Sequence, residues 1–163
     1  MFDFELGKIE GLEELKKRYP VLSAQVTQAR LTEANEFLAY KVRENTPEGA
    51  GVPTHLKDQI LTKTVKYGEA VSTFTHCPYG LPVEEGSRPH WPPWGAGSSL
   101  YVWVERKLGI TGKDTKSVAF LIARSISKKG TKGIHMFERA WQDNHAKILS
   151  ILDRIPDEII RKL

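Results

Sequence analysis

The chain has a single cysteine, Cys77, among 163 residues. No internal disulfide can form, which excludes a disulfide scaffold and fits a reducing cytoplasm. No apolar run approaches the roughly 20 residues needed to span a bilayer. The opening MFDFELGKIEG carries acids where a secretory signal would carry bases, so a soluble protein made inside the cell is expected. Catalytic groups are equally sparse. His55, His76, His90, His135 and His145 lie in separate segments with no H-x-x-x-H pair. His76 and Cys77 are adjacent, and neighbouring residues rarely both reach one tetrahedral ion, so no metal site is expected and the thiol reads as inert. Glu84 and Glu85 would point to opposite sides of an extended segment rather than act as a carboxylate pair. Lys129-Gly130-Thr131-Lys132-Gly133 has the composition of a phosphate-cradling loop. It lacks the G-x-x-x-x-G-K-[ST] spacing and follows a helix instead of opening one. No catalytic residue, cofactor or metal is expected, and the chain does not read as an enzyme.

What is present is one ordinary domain's worth of chain, spanning residues 1–163. It divides into an N-terminal segment 1–19, a core 20–155 and a short tail 156–163. An apolar fraction of 40% is enough for a core and argues against wholesale disorder. The net charge of +4 is too small to mark a nucleic-acid binder. Its distribution is more telling. Residues 99–133 hold eight bases against Glu105 and Asp114, a net +6, while the rest of the chain is close to neutral.

Leu12 and Leu15 among charged neighbours suggest a short helix, interrupted where Pro20 restricts Tyr19. From Val21 to about Asn45 there is neither Gly nor Pro. Leu31, Ala34, Leu38 and Val42 recur at helical spacing, with Leu22, Val26 and Ala29 striping the first half. This predicts a helix about 35 Å long, ended by Thr46-Pro47. Residues 47–56 read as a loop. Ile60–Thr75 is rich in β-branched residues and predicts a hairpin turning near Lys66–Glu69. Three helices are expected afterwards. The first covers Leu100–Leu108 and is capped by Gly109. The second starts from a cap at Asp114 or Thr115, with Val118, Leu121, Ile122 and Ser125 as its apolar line, and ends at Lys128-Lys129-Gly130. The third runs from Met136 and aligns Phe137, Trp141, Asn144, Ile148, Ile151 and Ile155 until Pro156 stops it. The fold class is therefore α+β: a small antiparallel sheet of three or four strands packed with a long N-terminal helix and C-terminal helices.

Residues 77–98 hold five of the nine prolines and four glycines, together with Tyr79, His90, Trp91 and Trp94. A loop of this length in a compact domain usually has a function. Its tryptophans suit contact with a partner, or they fold back to cover the protein's own sheet. The basic stretch has two readings as well. Arg106, Lys107, Lys128, Lys129 and Lys132 could neutralise phosphates with Trp91, Trp94 or Tyr101 as stacking faces. Alternatively they meet an acidic protein surface. In sequence the aromatics cluster with prolines rather than between the bases, which slightly favours the protein partner.

Taken in order, the segments resemble the gene-product-ten-like tail-component family of lambdoid siphophages, the neck or tail-completion proteins. The family's long helix ends in Thr/Ala-Pro, here Thr46-Pro47, and a Gly-containing strand entry follows, here Gly51 to Ile60. Its Y-x-x-x-V-E-x-G-(S/T)-R-P-H run matches Tyr79 to His90. An A-x-x-I-A-R-x-I-x-x-K-G-T-K segment matches Ala119 to Lys132, and a closing F-x-x-A matches Phe137 to Ala140. The resemblance covers residues 9–150. Many members place Pro beside the final Phe, whereas Met136 and Glu138 flank Phe137 here, so the entry to the last helix is expected to differ locally.

The resemblance implies a non-enzymatic virion part at the head–tail junction. It would be a ring, a hexamer or dodecamer, meeting the tail-tube protein and the head-closure or adaptor proteins of the neck, with DNA possible in its channel and no membrane contact. It would be present in the host cytoplasm during assembly and in the virion afterwards. Arg88, His90, Trp91, Trp94, Arg124, Lys128 and Lys132 are the candidate contact residues. Arg88 stands out because Pro89 stiffens the backbone beside it. A nucleic-acid-binding module using residues 99–133 is the alternative.

Overall fold

The computed structural model describes residues 2–5 (backbone only), 9, 11–48 and 55–163. The Gly51–Thr54 part of the strand-entry motif lies outside them. The described residues are 64% helical with small antiparallel sheets, so the mixed α+β class holds, with helix dominating. Among them, no helix is long and apolar enough to cross a membrane. Where one domain is expected, the chain clusters into two compact units. One comprises 1–45, 60–75 and 137–163, the other 46–59 and 76–136.

The first unit is built on a long helix laid across a hairpin. Strand β1 (Phe2–Glu5) comes first, where the sequence suggested no strand. Helix α1 (Leu12–Arg18) follows and stops at Tyr19, and α2 (Pro20–Asn45) starts with Pro20 where its fixed φ and missing N–H suit a first turn. The hairpin is β2 (Ile60–Lys66) and β3 (Ala70–Thr75), and β1 pairs antiparallel with β3 on its other side. Its turn falls where expected, and the register slips between Thr64 and Lys66, leaving Val65 bulged and exposed.

The buried stripe of α2 includes Val26, Leu31, Ala34, Leu38 and Val42 as anticipated. Ala29 is exposed instead, and buried Ser23 takes part by donating to the Leu15 carbonyl at 3.1 Å. Polar clips fix the helix on the hairpin. Gln28 accepts the Gly68 N–H at 2.9 Å and donates to Thr64 at 3.0 Å. Asn35, buried, donates to the Ser72 carbonyl at 3.2 Å and accepts from the Thr73 hydroxyl at 2.5 Å. Arg43 donates to the Ile60 carbonyl at 2.8 Å. Gly68 has φ +69, and a Cβ there would sit 3.2 Å from the Ala24 backbone, so the turn must be glycine for the helix to lie this close.

The C-terminal end departs most from expectation. Helix α6 (Met136–Leu152) ends before Pro156, and the supposed tail is a further helix, α7 (Ile155–Arg161). Pro156 opens it rather than stopping its predecessor, because proline is tolerated in a first helical turn. Ile155 and Ile159 are fully buried. Glu158 binds Arg30 of α2 at 2.6 Å and Lys162 at 2.9 Å, and Arg30 also contacts Glu33. The hydrogen bond from Lys162, then that from Arg30, holds the Glu158 carboxyl below the usual carboxylate range.

In the second unit, a 3-10 turn (Leu56–Gln59) leads towards the strand at Ile60. Residues 77–98, read as one long loop, contain helix α3 (Gly80–Glu85) and strand β4 (Gly86–Ser87) before irregular chain resumes. Helix α4 (Ser99–Leu108) ends at Gly109 with φ 67, as expected, and Ser98 caps its start by accepting the Tyr101 N–H at 3.2 Å. Helix α5 (Lys113–Lys129) packs on α4 and ends at Gly130. Neither Asp114 nor Thr115 caps it. Gly112 holds that position, and Thr115 is buried with its hydroxyl on the Ile110 carbonyl at 3.0 Å. Strand β5 (Thr131–Lys132) pairs antiparallel with β4, so strands divide between two sheets in place of one.

Two consequences are measurable. Asn35→Ala removes the side-chain hydrogen bonds to the Ser72 carbonyl and from the Thr73 hydroxyl, and should lower stability by about 2 kcal/mol in urea unfolding. Glu158→Gln should cost about 1 kcal/mol at neutral pH. Because the folded carboxyl titrates below its unfolded value, its contribution is complete above the ordinary carboxylate range and is lost as pH falls through the lowered value. Wild-type and variant melting temperatures should therefore converge on acidification.

Candidate functional surface

Three glycines set the geometry of the second unit. A Cβ on Gly86 would lie 2.3 Å from the Thr131 carbonyl oxygen, and one on Gly130 would lie 2.0 Å from that of Ser87. On Gly133 it would meet the Glu84 carbonyl oxygen at 2.3 Å. These contacts are backbone against backbone, so no side chain can swing away to admit a methyl group. Gly86 and Gly130 also have φ values of 88 and 70, a region L-residues seldom occupy. Only glycine lets the two segments close. Once closed, the Ile134 N–H donates to the Val83 carbonyl at 2.8 Å and the His135 N–H to that of Glu84 at 3.0 Å. The Ser87 N–H donates to the Thr131 hydroxyl at 3.0 Å. The Lys-Gly-Thr-Lys-Gly run is thus half of a β-ribbon, and its glycines serve backbone approach rather than phosphate binding.

The ribbon fixes where the tryptophan loop begins. Ser87 lies beside Thr131, immediately after α5, and the chain then runs back along that helix. Trp91 stacks on Phe120 with centroids 6.1 Å apart, and Trp94 meets the same ring edge-on at 5.1 Å. Phe120 is ten residues before Gly130, about 15 Å along the helix, a span the chain from Arg88 covers in a few extended residues. Lys116 places its ammonium 5.9 Å from the Trp94 ring centre. The loop therefore folds back on a helix, not on the sheet that one sequence reading had it covering. Trp91 remains 57% exposed, so much of its surface is open to a partner.

The burial of α5 explains the arrangement. Thr115, Ala119 and Ala123 are buried, small residues that allow close packing. Of the expected apolar line, Val118 and Ile122 are half-buried whereas Leu121 and Ser125 are exposed, and Phe120 outside it is exposed as well. Lys116, Phe120, Arg124 and Lys128 recur every four residues and form one ridge on the outer face. Asp114 is the helix's sole acid.

All seven candidate contact residues lie within this unit. Trp91, Trp94, Arg124 and Lys128 are brought onto or beside the α5 ridge. Arg88 and His90 follow the ribbon, both exposed, with His90 Nδ1 2.9 Å from the Arg88 carbonyl oxygen. Lys132 is exposed on β5 opposite Gly86. Arg106 and Lys107 instead sit in the last turn of α4, and Tyr101 is half-buried. Sequence reasoning missed Lys116 and Phe120. The signal was an aromatic four residues from a lysine and four from an arginine, on the helix flank beside the alanines.

Charge separates between the units. Segment 76–136 carries nine bases and four acids, and 46–59 carries one base and two acids, so the second unit holds the chain's whole +4. The first unit is net neutral by the same count. Among the described residues, no three His, Cys, Asp or Glu side chains gather to hold a metal ion. Comparison with protein-family models, curated proteins and solved structures finds no match to the chain.

Gly130→Ala should destabilise the second unit by about 2 kcal/mol or more. Amide exchange at Ile134 and His135 should accelerate. Gly95→Ala, at an ordinary φ with open space around it, should leave both rates unchanged.

Proposed function

We propose that the chain is a non-enzymatic structural protein of a bacteriophage virion, acting at the head–tail junction as a neck, tail-completion or tail-terminator component. It assembles as a hexameric or dodecameric ring that joins or completes the tail, meeting the tail-tube protein on one side and head-closure or adaptor proteins on the other. It is present in the host cytoplasm during assembly and in the virion thereafter.

The observation that carries this reading is the pairing of two of its family-like runs. Val83-Glu84-Glu85-Gly86-Ser87-Arg88 and Lys129-Gly130-Thr131-Lys132-Gly133 are 40 and more residues apart in sequence. They meet as one glycine-clamped ribbon. Glycines that recur in such a pattern have a stated physical task here, and the exposed residues beside them, Arg88, His90 and Lys132, are free to differ in what they contact. A head-to-tail ring needs two unlike surfaces per protomer. A neutral unit and a cationic unit on one chain supply unlike surfaces.

Phage lacking this gene product should accumulate unjoined heads and tails, or tails of abnormal length, in electron micrographs. Normal joined particles would refute the reading. The purified protein, alone or with tail-tube protein, should give a discrete ring mass by light scattering. Arg88→Glu with Lys132→Glu should remove that species while leaving the melting temperature unchanged, because both side chains are exposed.

A further inference from the structure

We propose that the α5 ridge and the Trp91 face form a binding site for single-stranded nucleic acid. The inference does not rest on the virion reading and concerns the purified protein alone. Sequence order argued against such a site, since the tryptophans cluster with prolines and away from the bases. The fold reverses that argument. Phe120 stands on α5 between Lys116 and Arg124, and it carries Trp91 and Trp94 on its ring. Aromatic faces and cations that are separate along the chain are interleaved in space.

Each part of the surface suits one part of the ligand. Trp91 is held at a fixed height by stacking on Phe120 and is more than half exposed, so its outer surface can receive an unstacked base. Trp94 is engaged from one side by Phe120 and from another by Lys116, and it acts as the wall that keeps Trp91 in place. Arg124 and Lys128 continue the ridge at about 6 Å per step along the helix axis, close to the phosphate spacing of an extended strand. Stacking needs no sequence readout, because every base offers a π-face.

Charge selects the occupant. The second unit carries the chain's whole +4, an excess that a polyanion from outside the chain balances. A duplex would satisfy the bases but leave Trp91 without a base to receive, since its bases are already stacked; a single strand satisfies both.

The test is fluorescence anisotropy with the full chain and a labelled 20-nucleotide oligothymidine, an equivalent duplex, and polyglutamate as competitor. The oligothymidine should bind more tightly than the duplex, with log affinity falling against log salt at a slope of about −2, as three cation contacts on a single strand require. Trp91→Ala should weaken binding about tenfold and Trp91→Phe should restore most of it. Arg124→Gln should flatten the slope by roughly 0.7. An unchanged melting temperature and unchanged amide exchange at Ile134 and His135 establish that each variant is folded. The proposal is overturned if oligothymidine does not bind at low salt, or if duplex binds equally well and Trp91→Ala is without effect. Displacement by polyglutamate at matched charge would also overturn it, and would identify an acidic protein surface as the occupant.

Discussion

The second unit depends on a steric constraint: three places where two backbones touch and no side chain can intervene. The contacts of Gly86, Gly130 and Gly133 close a ribbon only two residue pairs long, too short to be stable through its ladder alone. Its stability comes from what surrounds it. Helix α3 precedes one strand, α5 precedes the other, and the hydroxyls of Ser87 and Thr131 lie 2.9 Å apart across the join. The tryptophan loop and the basic helix leave this point together, which is why they remain together at Phe120. Covalent distance along the chain has little bearing on that arrangement.

The first unit works differently. Its long helix is fastened to the hairpin by side-chain amides and a guanidinium, at Gln28, Asn35 and Arg43, as well as by apolar contact. Hydrogen bonds to backbone groups have fixed geometry, so they specify where along the hairpin the helix lies, which a greasy stripe alone leaves loose. Asn35 bridges two adjacent residues of β3, which ties helix rotation to strand register.

The long helices were legible because each has a clean apolar period and recognisable punctuation. Pro20, Gly109 and Gly130 mark real boundaries. What was not legible has specific causes. Strand β1 depends on pairing with β3, a partner some 70 residues away. Helix α7 was hidden by Pro156, which is both a helix breaker and a helix opener, and buried Ile155 and Ile159 decide which. On α5 the fully buried residues are Thr115 and two alanines, while Phe120 and Leu121 are exposed and Val118 and Ile122 half-buried. The usual rule of placing the bulkiest stripe inside therefore chose a line rotated from the buried one. The candidate surface was half visible. Its tryptophans, arginine and distal lysine are conspicuous in sequence, whereas Phe120 acquires meaning only once a loop returns to it.

The outer edge of the hairpin has its own consequence. Among the described residues β2 pairs only with β3, so its other side exposes backbone groups that could recruit a foreign strand. Lys63 and Lys66 place charge along that edge, and the irregularity at Val65 breaks the even spacing that an incoming strand must match. Open-ended sheet growth from this edge is thereby disfavoured, because an incoming strand would meet both charge and a broken ladder.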